Sequence, residues 1–129
     1  MNKDQIRSII DIAKIEHWPC SMVIERFMKA GVEVYEVTLD TFEVTYFGSQ
    51  QVWKQALGLN LLPLKIKNTF SIGKLAEIWN RHQKSKTSYT MFIHAVANAG
   101  VKAYRVDLCN RIITFSGVNK EKQHREYIV

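Results

Sequence analysis

Little in this sequence is equipped for covalent or metal chemistry. Its 129 residues include two cysteines, Cys20 and Cys109, and no CxxC pair. That excludes a disulfide-built scaffold and a paired Cys/His zinc module. The four histidines, His17, His82, His94 and His124, fall at no HExxH spacing. The six glycines form no phosphate loop, and no GxSxG elbow occurs. No apolar run approaches the roughly 20 residues needed to cross a bilayer. The longest candidate, LGLNLLPL at 57–64, is short and is interrupted by Pro63. The first residues, MNKDQIRSII, lack the apolar stretch of a secretory signal. The expectation is a cytoplasmic protein with free thiols, no cofactor and no metal ion.

What is present is apolar material and charge. Hydrophobic residues make up 47% of the chain and charged residues 23%, enough for one core, so a single domain over residues 1–129 is expected. The net charge of +6 is unevenly spread. Residues 1–48 carry five basic and eight acidic side chains, whereas residues 70–129 carry ten basic and four acidic. A basic half points to an acidic partner, nucleic acid included, or to a complementary acidic half.

The chain also repeats itself. AGVEVYEVTL at 30–39 returns as AGVKAYRVDL at 99–108, an offset of 69 residues. Extending that register from Met22 to Gly48 gives ten identities in 27 positions, against roughly two by chance. Ile6, Ile9 and Ile10 pair with Leu75, Ile78 and Trp79, each set an amphipathic helical stripe. Val23, Ile24, Phe27 and Met28 pair with Phe92, Ile93, Val96 and Ala97 in a second stripe. Ala-Gly-Val then reads as a helix stop followed by a strand start. Tyr35, Val37 and Leu39 alternate with polar residues, as do Tyr104, Val106 and Leu108, the mark of a half-buried strand.

Each copy, about 2–48 and 71–117, therefore reads helix, helix, strand, strand. The predicted fold is α+β, an antiparallel sheet of four or five strands with helices on one face. The insert at 49–70 is expected to give a helical turn or two over 50–57 and a loose edge strand over 61–67. The charged tail, 118–129, is expected either to be disordered or to dock Tyr127-Ile128-Val129 at an edge.

The stretch RHQKSKTSYTMFIHAVANAGVKAYRVDL resembles the most recognisable part of the YbcV-like family, small bacterial and prophage-encoded proteins of unknown function. The matching positions are His82-Gln83, Ser88-Tyr89, Phe92, Ala99-Gly100-Val101, Tyr104 and Val106-Asp107. The first copy matches more loosely, through Gly31-Val32, Tyr35, Tyr46 and Gly48. Phe115-Ser116-Gly117 departs from the family pattern, which has an aromatic pair and a polar residue there. The resemblance implies no established activity, cofactor or catalytic residue.

Three readings stay open. The first is a non-catalytic interaction module, as a homodimer or with another protein. It draws on the apolar insert around Trp53 and on charges that reverse between copies, Glu33 becoming Lys102 and Glu36 becoming Arg105. The second is a nucleic-acid binder using the basic second half, with aromatic residues to stack on bases. The third is an enzyme, in which His82, Gln83, Tyr89 and Asp107 would converge in a small polar pocket for acid–base work. Against it, His82 at the end of a helix serves equally as a cap for terminal carbonyls.

Overall fold

A computed structural model of the chain describes residues 1–16, 18, 20–56, 64–84, 87–119 and 121–128. The elements are α1 (Lys3–Glu16), α2 (Cys20–Lys29), β1 (Val32–Thr38), β2 (Glu43–Gly48) and β3 (Gln51–Ala56), followed by α3 (Ile72–Gln83), α4 (Tyr89–Asn98), β4 (Val101–Asp107), β5 (Ile112–Gly117) and β6 (Gln123–Tyr127). The same order, two helices and then three strands, occurs twice.

The strands form one antiparallel sheet in the order β3-β2-β1-β4-β5-β6. It has six strands rather than the expected four or five. The insert does not begin with a helical turn: Gln51–Ala56 is a strand paired with β2. The tail supplies the other edge, where β6 pairs with β5. Both segments, QVWKQA and QHREY, alternate in burial. Each lies at an edge, so half of its backbone and most of its side chains stay in water, and a polar sequence suffices. The second expected strand does not form over 64–67, and residues 61–63 lie outside the described ones.

One face of the sheet is apolar and carries the helices. Tyr35, Val37, Val44 and Tyr46 in the first half and Tyr104, Val106, Ile113 and Phe115 in the second are buried against Ile6, Ile24, Phe27, Leu75, Trp79, Phe92, Ile93 and Val96. Met28, placed on the core stripe by its spacing, is 43% exposed. Its counterpart Ala97 is 1% exposed, although each helix ends one residue later.

The 69-residue offset recurs in backbone detail. Gly31 and Gly100 close the second helix of each half at φ 91° and 95°. Phe42 and Arg111 take positive φ, 54° and 53°, in the two hairpin turns. The ladder slips by one residue at Val32/Val34 and again at Val101/Ala103. Asn2 donates its N–H to the Ala30 carbonyl at 2.8 Å, and Ser71 donates to that of Ala99 at 2.9 Å. Met1 lies against Gly31 and Gly48 as Phe70 lies against Gly100 and Gly117.

The sheet is continuous at its centre because β1 pairs with β4. The Leu39 N–H donates to the Lys102 carbonyl at 2.8 Å, and the Leu108 N–H to the Glu33 carbonyl at 3.1 Å. These two bonds exchange under the offset, so an approximate twofold axis passes through the sheet between Glu36 and Arg105, which face each other.

The described part of the insert, Leu64–Phe70, does not cover the free face of the sheet. Its Leu64, Ile66 and Phe70 pack on the core. The Lys67 N–H donates to the Ala97 carbonyl at 3.2 Å, which holds the strap at the end of α4 on the helix side.

Candidate functional site

Two regions hold the residues singled out by sequence, and they lie on opposite sides of the sheet. The helix side of the second half is an aromatic cluster. Trp79 and Phe92, from α3 and α4, meet Phe115 of β5 at centroid distances of 6.1 and 6.3 Å. His82, at the last turn of α3, stacks on Phe92 at 4.2 Å with 15° between the ring planes. Its Nδ1 lies 3.1 Å from the Thr87 Oγ1. Burial is the main cause that holds the imidazole below its ordinary pKa, and the contact with Thr87 opposes it in part. The helix end itself is closed by the Lys84 N–H, which bonds to Asn80 and His82 carbonyls. His82 is therefore a stacked core-edge ring rather than the side-chain cap its position suggested.

Tyr89 opens α4 immediately after its N-cap, Ser88, whose hydroxyl accepts from the Met91 N–H at 3.2 Å. The Tyr89 hydroxyl reaches the Tyr104 hydroxyl at 2.6 Å, which joins α4 to β4 across the core. Tyr46, from the first half, is fully buried, and that burial, with Tyr89 nearby, pushes its phenol pKa well above the ordinary range. Gln83 is half-buried at the end of α3.

Asp107 is not part of this group. It follows Val106 in β4, so its side chain leaves the other face of the sheet, beside Arg105. Its carboxylate accepts from the Asn110 side chain at 2.8 Å and the Asn110 backbone N–H at 3.1 Å. Those bonds, the side-chain one foremost, hold its pKa below the ordinary carboxylate range. Asp107 shapes the β4–β5 turn, as an Asx residue does. The expected constellation of His82, Gln83, Tyr89 and Asp107 is thus divided by the sheet, and acid–base work shared between His82 and Asp107 has no geometric basis.

Among the described residues, the other side of the sheet carries no helix. Residues directly opposite in neighbouring strands share a face, so the pairing defines cross-strand rows. The central row runs Lys54, Thr45, Glu36, Arg105, Thr114, Arg125. Beside it runs Val52, Phe47, Val34, Asp107, Ile112, Tyr127. Val52 is 68% exposed and Tyr127 74% exposed at the two ends of this row. Arg105 lies 3.9 Å from Glu36 and 5.1 Å above the Phe47 ring. Six charges on the face cancel: Lys54, Arg105 and Arg125 against Glu36, Glu43 and Asp107.

Of the three residues expected to make contacts, Arg105 lies on this face, and Lys102 is exposed at the start of β4. Trp53 is not on the open face. It is half-buried on the helix side, stacked on Tyr46 at 5.3 Å, with Lys3 and Arg7 of α1 over its ring at 5.6 and 5.3 Å. The leucines expected to join it, Leu57, Leu59, Leu61 and Leu62, lie outside the described residues.

The open-face row was missed in the sequence because Val34, Phe47, Val52 and Ile112 look like ordinary strand residues. Only the pairing register brings them into one line. The charge reversal between Glu36 and Arg105 was visible, and its position explains it. A residue beside a twofold axis meets its own equivalent, so identical charges would repel.

Among the described residues, no three His, Cys, Asp or Glu side chains are grouped to hold a metal ion. No helix of the described residues is long and apolar enough to cross a membrane. No curated protein matches the chain. A family model does, over residues 2–126, and the chain therefore belongs to the family described as protein of unknown function (DUF1398).

Proposed function

We propose that the protein is a small cytosolic, non-catalytic interaction module that receives a protein partner on the uncovered face of its sheet. One observation carries this reading: among the described residues the six strands are packed by helices on one side only, and the other side presents a row of apolar residues, Val52, Phe47, Val34, Ile112 and Tyr127, broken only by Asp107. Contiguous apolar surface with a polar surround is what a protein contact site requires. The balanced charge of the face favours a protein over a polyanion, because nucleic-acid binding calls for a basic stripe. The recurrence of backbone features at one offset supports an origin by internal duplication, and the YbcV-like resemblance fits a protein without assigned chemistry.

Phe47→Glu tests the reading. Its side chain is half-buried on the open face, so the charge meets water in the free protein and a partner in the complex. The expected result is loss of association, by light scattering and by pulldown, with the chain still folded and its unfolding transition shifted only slightly by loss of the Arg105 contact. Association that survives Phe47→Glu but fails with Met22→Glu or Met91→Glu, on the exposed sides of α2 and α4, overturns it.

A further inference from the structure

Resting on the preceding reading of the open face, we propose that its occupant is a second copy of this chain, packed sheet to sheet about a twofold axis that runs along the strands. Two such axes lie in the plane between facing sheets, one along the strands and one across them. Both keep the strands aligned, as packed sheets prefer. They differ in what each residue meets.

An axis along the strands turns the sheet left for right and leaves each row opposite itself. β1 then faces β4 of the other copy. Glu36 faces Arg105 and Arg105 faces Glu36, so four charges alternate in sign around the centre. Thr45 faces Thr114. In the apolar row Phe47 faces Ile112 and Val52 faces Tyr127, large against aliphatic, while Val34 covers Asp107, which keeps its bonds to Asn110 and its neighbour Arg105. An axis across the strands instead sets each strand against its own copy. Glu36 would meet Glu36, Arg105 would meet Arg105, and the apolar row would lie on the row Ala56, Glu43, Thr38, Ala103, Ser116, Gln123.

The internal twofold gives this choice its meaning. If the two halves were identical, the assembly of two chains would contain both axes and neither would be preferred. Glu36 and Arg105 are where the halves differ in charge at the centre, and that difference satisfies one axis and violates the other.

The experiment uses the full chain in a Cys20→Ser, Cys109→Ser background. Facing sheets pack about 10 Å apart, within reach of a short bismaleimide. A mixture of Thr45→Cys and Thr114→Cys chains is expected to cross-link into dimers, and Thr45→Cys alone to stay uncross-linked, because the two copies of residue 45 are offset by about three strand spacings, roughly 14 Å, as well as by the gap. Glu36→Arg is expected to weaken dimerisation at least about tenfold at low salt, and adding Arg105→Glu to restore it; because the exchange also restores the pair within the chain, urea unfolding of each dilute variant shows alongside that the monomers stay folded. Cross-linking of Thr45→Cys with itself overturns the proposed axis while leaving the open face as the contact site. A chain that stays monomeric and uncross-linked at every concentration overturns self-association. If Phe47→Glu then still abolishes capture of a different protein, the interaction reading survives the loss of this one.

Discussion

The two halves of the molecule share a backbone plan and fill it differently. In the first half the positions beneath the helices are Ile10, Ala13, Val23, Tyr46 and Trp53. At the matching places the second half has Trp79, His82, Phe92, Phe115 and His124. Both edges carry a ring stacked on the neighbouring strand, Trp53 on Tyr46 and His124 on Phe115 at 6.5 Å. In the first half α1 covers that ring with two cations. In the second, Trp79 of α3 instead donates its indole N–H to the Tyr127 carbonyl at 3.2 Å and so fastens the last strand. A shared scaffold is therefore compatible with two separate solutions to the edge problem, one electrostatic and one by hydrogen bonding and ring stacking. The difference also says where to look for function: not at the letters that recur, which stop helices and start strands, but at those that changed.

The largest contrast should appear at the paired glycines. Both need positive φ, which costs a substituted alanine strain. A Cβ on Gly31 would lie 3.2 Å from the Met1 Cα, a tight contact that a shift of a few tenths of an ångström relieves. A Cβ on Gly100 would collide with the Thr69 carbonyl oxygen and lie 2.8 Å from the Phe70 Cα, in a strap tied at both ends of that contact. Gly100→Ala is expected to cost about 2–4 kcal/mol and Gly31→Ala about 1–2 kcal/mol, measured by urea unfolding. Equal losses would mean that the strap moves far enough to relieve the closer contact.

Much of this plan was legible in the sequence. Glycine at the helix ends, period-2 alternation in Tyr35-Val37-Leu39 and helical spacing in Ile6-Ile9 are local signals, and the structure follows them. The edge strands were less legible, because a polar strand such as QHREY owes its form to the neighbour it pairs with. Asp107 was misplaced for a related reason. Its spacing to Asn110 reads as a turn, but which side of a sheet it leaves follows from the register across β4. The stacking of His82 on Phe92 likewise depends on how α3 packs against α4, and no periodicity encodes it.

His82 offers a second contrast, because its counterpart Ala13 cannot titrate. In the folded chain burial lowers its pKa, so the unfolded chain, with an ordinary value of about 6.5, takes up the proton first. Stability that is present above that value is therefore lost as pH falls through it toward the folded-state pKa. Unfolding free energies measured from neutral to mildly acidic pH should decline in the native chain, and His82→Gln should flatten part of that decline. An unchanged slope would show that the ring is open to water when stacked on Phe92.

The smallest effect lies at the centre of the sheet, where the halves meet. Glu36 and Arg105 are directly opposed and partly exposed, so their attraction contributes only a few tenths to about 1 kcal/mol. Reversing one charge should matter as much through the repulsion it creates as through the attraction it removes. Glu36→Arg is expected to destabilise the dilute monomer by about 1 kcal/mol, Arg105→Glu by a similar amount, and the double exchange to recover most of the loss. The recovery should be incomplete, because Arg105 also lies over Phe47, and a glutamate there cannot make that cation–π contact. If the approximate twofold governs this position, an arginine at 36 would sit over Ser116, the residue of β5 that the 69-residue offset matches with Phe47, and no ring is there. Phe47→Leu in the native chain should then reproduce the missing fraction, a few tenths of a kcal/mol, and so assign the asymmetry of the pair to the ring rather than to the charges.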